Sequence, residues 1–197
     1  LSFAKVDYLR AIARLAELHR ERLADWRRGT RSPRAEPVGE GIEKVLFVSN
    51  PSAWSGAEQA LCDLVSGLSR RGIECHSMIG REGLFQERLR QVGSAVTVAE
   101  YDMLSDQPEL FAYLISHIRK ERPQIVHLNS PGGFGIIKAA WSERLPVIQH
   151  LRTAPSHGSI QTARYADTNI AVSRQLGDQY LSMGLDPERL HVVHDAP

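Results

Sequence analysis

"KVLFVSNPSAWSGAEQALCDLVSGLSRRGIECHSMI", residues 44–79, carries the pattern that decides the fold. Its opening run, "KVLFVS" (44–49), is almost wholly apolar, as a strand buried on both faces must be. Residues 56–71 then place Ala57, Ala60, Leu61, Leu64, Val65 and Leu68 on one side of a helix. "ECHSMI" (74–79) reads as a second strand. Strand, helix and strand in this order make a crossover unit, and such units are right-handed and join parallel strands.

The alternation continues to the end of the chain. "LFQERLRQV" (84–92) reads as a helix and "AVTVA" (95–99) as a strand. "QPELFAYLISHIRKE" (107–121) is helical, with Pro108 in its first turn. Strands are expected at 124–128, 146–151, 168–172 and 191–194, and helices at 134–144 and 174–183. The expected fold class is α/β: a doubly wound, mostly parallel, Rossmann-like sheet of about seven strands over 44–197. Before it, residues 3–27 read as a long amphipathic helix carrying Tyr8, Leu9, Ile12, Leu15, Ala16, Leu23 and Trp26 at helical spacing. The expected organisation is a basic helix at 1–28, a Gly/Pro-rich linker at 29–43, and the α/β domain after it.

Charge is unevenly spread. The 197 residues have a net charge of +1, so no whole-protein field argues for nucleic acid. Residues 1–34 hold nine basic and four acidic side chains, leaving 15 basic and 19 acidic residues elsewhere. The leading helix therefore has three readings: it caps the sheet domain, pairs with a second copy, or touches an acidic membrane surface through its arginines. Cys62 and Cys75 are too few for a disulfide framework or a metal cluster and read as small buried apolar residues. No apolar run is long enough to span a bilayer. The start, "LSFAKVDYLR", lacks a signal peptide's apolar core and an initiating Met, so a fragment or processed chain is expected.

Open parallel sheets bind ligands at the carboxyl ends of their strands. Ser55 reads as the N-cap of the helix that follows the first strand, with Glu58 completing a capping box. Gly56 has two readings, an anion held at bare backbone amides or close helix–strand packing. The loop is neither a Walker loop nor a three-glycine dinucleotide fingerprint. Asn129 and Ser130, after the fourth strand, either hydrogen-bond a ligand or turn the chain at "PGG". Arg152 ends the fifth strand, where a guanidinium fork suits phosphate or carboxylate; the competing reading is a solvated arginine. His150 reads as a satisfied buried histidine or a site residue, and Ser173 as a helix cap near the strand edge. His191 and His194, three apart on an expected strand, face opposite sides, and no metal site is expected.

"SGAEQALCDLVSGLSRRGIECHSMI" resembles the first crossover unit of retaining glycosyltransferases of family four, which have the GT-B fold. "REGLFQERLRQVG", "RPQIVHLNSP", "LPVIQHLRT" and "ADTNIAVSRQLGDQYLSMGLDPERLHVVHDAP" resemble the family in the same order. Ser55 stands where many members have a first glycine, and "HDAP" where many have Asn-Gly. The resemblance covers residues 44–197 and implies an acceptor-side domain, with the second, nucleotide-sugar domain lying outside this sequence. It implies a nucleotide-diphosphate sugar as donor, no cofactor, a saccharide or lipid-linked acceptor, and a cytoplasmic site of action at or near the inner membrane face. It implies Arg152 as the catalytic-edge residue near the sugar and Ser173 near the cleft; the candidate substrate- or phosphate-binding residues beside them are Ser55, Gly56, Asn129, Ser130 and His150. Two competing expectations are a non-catalytic binding or scaffold module using residues 3–27 as its partner surface, and a self-contained Rossmann-like enzyme.

Overall fold

The computed structural model describes residues 41–50, 54–99, 108–129 and 133–194. The expected helix at 3–27, the linker up to residue 40, and Ser130 lie outside the described residues.

Seven parallel strands form one sheet: β1 (Lys44–Ser49), β2 (Glu74–Ile79), β3 (Ser94–Val98), β4 (Ile125–Leu128), β5 (Val147–Leu151), β6 (Thr168–Ala171) and β7 (Leu190–Val192). Their order across the sheet is β3-β2-β1-β4-β5-β6-β7. Six helices connect them: α1 (Gly56–Ser69), α2 (Leu84–Gln91), α3 (Pro108–Glu121), α4 (Phe134–Ser142), α5 (His157–Tyr165) and α6 (Arg174–Ser182). All described pairings are parallel, where the sequence reading allowed a mixture. Every connection is a crossover, and none is short enough to be a hairpin.

β1 shows why the expected strands form. Val45 and Phe47 point to one face and Leu46 and Val48 to the other, and all four are buried. Val45 and Phe47 join Leu61 and Val65 of α1 and Phe85 and Leu89 of α2 in one core. Leu46 and Val48 join Leu110 and Leu114 of α3 and Ile136 and Ile137 of α4 in another. Burying such a side chain contributes roughly 1.5–3 kcal/mol, so a strand apolar on both faces holds two helix layers at once. A third core, around Leu151, Ile160, Ala171 and Tyr180, fastens α5 and α6 to the β5–β6 end. Cys62 and Cys75 are both buried, as the sequence reading expects.

Three local expectations change. Helix α5 is absent from the sequence reading, because "HGSIQTARY" places few apolar residues and contains Gly158. Its start is set instead by a reciprocal serine box: Ser159 N–H donates to Ser156 Oγ at 3.1 Å, and Ser156 N–H donates to Ser159 Oγ at 2.7 Å. At α1, Ser55 is the N-cap and accepts from Ala57 N–H at 3.2 Å. Its hydroxyl donates to the Glu58 carboxylate, so Glu58 holds the cap side chain rather than closing the expected box onto the backbone. At the far edge β7 stops at Val192, so His194 lies beyond the strand and strand alternation says nothing about it.

Candidate functional site

The strand order reverses direction between β1 and β4. From β1 the chain proceeds through α1 to β2, and from β4 through α4 to β5 on the other side. The helices that leave these neighbouring strands cover opposite faces, which opens a crevice at the carboxyl ends of β1 and β4. Ser55 and Gly56 stand on one side of that crevice and Asn129 on the other.

Asn129 is 1% exposed and ties the two sides together. Its backbone N–H donates to Val48 O at 3.0 Å, extending the β1–β4 ladder by one residue. Its side-chain Nδ2 donates to Ala57 O in the first turn of α1 at 3.2 Å and to Ser49 Oγ at 3.4 Å. Because a carbonyl only accepts, this contact fixes which end of the amide faces α1. Oδ1 is thereby left buried with no hydrogen-bond partner among the described residues.

Arg152 follows β5, and its Nε donates to the backbone carbonyl of Asn129 at 3.2 Å. Its Nη2 lies 3.5 Å from His150 Nδ1. His150 Nδ1 is in turn 2.9 Å from His127 Nε2. One proton is shared between His127 Nε2 and His150 Nδ1, and a guanidinium, which can only donate, favours the tautomer with the lone pair on His150 Nδ1. Burial, reinforced by His150 and Arg152, pushes His127 down to about 3, so this ring is neutral at physiological pH. Phe47 packs against the His127 ring with centroids 5.2 Å apart, closing the pair from below.

The structure thus brings Asn129, His150 and Arg152 into one connected group beside the α1 turn that holds Ser55 and Gly56. His150 is buried and engaged, as one of its two sequence readings expects, and it lies within this group. Ser173 stands apart: its hydroxyl accepts from Leu176 N–H at 3.2 Å and caps α6. A Cβ added at Gly56 would meet nothing within 4 Å, so close packing among the described residues does not require glycine there. His127 is the residue that sequence reasoning missed. The signal was available, since His127 and Asn129 are two apart and share one face of the same chain segment.

No helix of the described residues is long and apolar enough to cross a membrane.

No curated protein matches the chain in sequence. Solved structures share its fold at low identity. Anabaena HepE in complex with UDP-glucose is 20% identical with a TM-score of 0.62, over 78% of this chain and 44% of that one. A glycosyltransferase from Rickettsia africae is 14% identical with a TM-score of 0.63, over 78% and 43%. A UDP-N-acetylglucosamine 2-epimerase is 16% identical with a TM-score of 0.58, over 77% and 48%. The chain spans less than half the length of these proteins, and what they share with it is one Rossmann-like half of the GT-B architecture. An epimerase among them shows that the fold alone does not choose the chemistry. The sequence does choose a family: the family model of Glycosyltransferase Family 4 matches residues 54–196, and the chain belongs to that family.

Proposed function

We propose that this domain forms the acceptor-side half of a retaining glycosyltransferase. The whole protein moves a sugar from a nucleotide-diphosphate sugar to a saccharide or lipid-linked acceptor. The observation that carries the reading is the connected group at the crevice, in which Arg152 is aimed by Asn129 and backed by the His150–His127 pair. A fixed guanidinium at a strand end suits a diphosphate or carboxylate, because its planar donors match two oxygens at once. The open space at Gly56 lets an anionic group approach the α1 amides, where the helix dipole favours negative charge. The unpartnered Oδ1 of Asn129 supplies an acceptor for a sugar hydroxyl. The chemistry is transfer between bound substrates, so the domain's own contribution is orientation and charge placement, and no cofactor is needed.

The reading puts the whole protein's action on the cytoplasmic side and leaves residues 3–27 three roles: capping the sheet domain, pairing with a second copy, or contact with the inner membrane face. The test is turnover of the whole protein against a panel of UDP- and GDP-sugars with saccharide and glycolipid acceptors. The anomeric configuration of the product is followed by NMR from the first turnovers. Transfer with retained configuration is the expected result. Inverted product would overturn the retaining assignment, and absence of any transfer would favour a binding or scaffold role.

A further inference from the structure

A second cluster lies toward the opposite, amino end of the strands. His76 projects from β2, and His117 and Glu121, one helical turn apart, project from the last turns of α3. A ligating atom from each lies within 4.8 Å of the other two. His76 and His117 are 5% and 8% exposed, and their rings meet edge to face with centroids 4.8 Å apart.

The hydrogen bonding of this cluster is incomplete in a specific way. His76 Nε2 is occupied by Thr97 Oγ1 at 2.8 Å. His76 Nδ1 faces Glu121 Oε2 at 3.2 Å, and the carboxylate is its one close polar neighbour among the described residues. His117 Nε2 is buried without a partner among the described residues. A buried, unsatisfied nitrogen ordinarily costs about 1–3 kcal/mol, and His117 Nε2 is such a nitrogen, converging with His76 Nδ1 beside one carboxylate.

We propose that His76 Nδ1, His117 Nε2 and Glu121 Oε2 bind a divalent transition metal of the zinc class, bracing β2 against α3. Two nitrogens and one carboxylate oxygen suit zinc, whereas calcium and magnesium require more oxygen ligands. Ligands about 2.1 Å from a shared ion are at most about 4.2 Å apart, so the site closes by a small side-chain movement when the ion enters. Thr97 holds the far nitrogen of His76 and acts as the outer partner that orients a ligating imidazole. Lys44 is the competing cation, with Nζ 3.1 Å from Glu121 Oε2. It also reaches Glu74 Oε1 at 2.7 Å, so it keeps a counter-ion when it yields Glu121. The Glu121 side chain, 15% exposed, gives the ion its entry path. With β2 and α3 supplying the ligands, the ion is structural and independent of transfer at the crevice.

The test uses the untagged 197-residue chain, stripped with chelator and titrated with Zn²⁺ by calorimetry and with Co²⁺ by visible absorption. The expected result is about one equivalent of tightly bound metal, d–d bands typical of four or five ligands, and a thermal midpoint that rises with Zn²⁺ and not with Mg²⁺. Glu121→Gln preserves shape and His117→Phe preserves packing. Each is expected to weaken Zn²⁺ by more than about 100-fold, beyond the loss typical of an outer partner. His157→Asn and His191→Asn, both at exposed positions, leave the isotherm unchanged. No stoichiometric Zn²⁺ binding, or binding that survives both Glu121→Gln and His117→Phe, overturns the site.

Discussion

Arg152 Nε donates to the backbone carbonyl of Asn129 at 3.2 Å, so the side chain that follows β5 is aimed by the residue that follows β4. A backbone carbonyl at the end of a buried strand is a fixed acceptor, and an arginine held there loses little further freedom on meeting a ligand. In the whole protein, Arg152→Ala is expected to lower kcat/KM about 10- to 150-fold, the range for one lost charge-assisted contact of about 1.5–3 kcal/mol. Arg152→Lys restores only part of this, because an ammonium keeps the charge and loses the planar fork. Steady-state kinetics on both variants, with unfolding midpoints beside them, decide the matter. Equal activity in all three proteins would remove Arg152 from the site.

Gly56→Val tests the turn at α1. A Cβ there meets nothing within 4 Å, so the variant should fold with an unfolding midpoint close to the parent's. Its isopropyl group would stand over the first amides of α1 and keep an anionic group away. Turnover is expected to fall by roughly 10- to 150-fold. Loss of fold and activity together would point to packing against residues outside those described, and unaltered turnover would discard the anion reading.

His127 makes a pH prediction with a definite sign. Its folded value is about 3, against 6.5 for the free side chain, because burial penalises the charged ring. Between those values the unfolded chain binds the extra proton, so stability rises with pH through this window. The contribution is complete above about pH 6.5 and is lost as the pH falls toward about 3. His127→Phe, which retains the contact with Phe47, should flatten the stability–pH slope by up to about 1.4 kcal/mol per pH unit. Urea unfolding from pH 7 to pH 4 measures the slope. Parallel curves for parent and variant would mean that the buried ring does not titrate in this way.

Removing residues 1–34 should leave a domain that unfolds cooperatively. Among the described residues, the three apolar cores run from Val45 to Leu190 and already join helices on both faces of the sheet. Thermal unfolding and light scattering before and after removal make the comparison. A halved mass assigns residues 3–27 to pairing of copies. A non-cooperative, broadened transition would show that the segment completes the core.

The sequence by itself determined the elements and their character. Apolar runs such as "KVLFVS" fix strands buried on both faces, and period-3.6 stripes fix α1, α3 and their neighbours to within one or two residues. Ser55 and Ser173 were legible as caps because capping depends on neighbours only two or three residues away. Helix α5 was not legible, since its stripe is short and its serine box lacks the usual acidic partner. What tertiary structure alone decided is everything that joins distant segments. The strand order sets β1 beside β4, and only that adjacency lets Asn129 reach Ala57, 72 residues earlier. The His127–His150 pair spans 23 residues and depends on the β4–β5 register, since a slip of one residue would turn either ring to the other face. His76 and Glu121 meet only because α3 crosses back over the sheet and ends beside β2. Local periodicity reports which face a residue takes, whereas a site needs to know which strand lies next to it, and that is set by burial and crossover handedness acting over the whole chain.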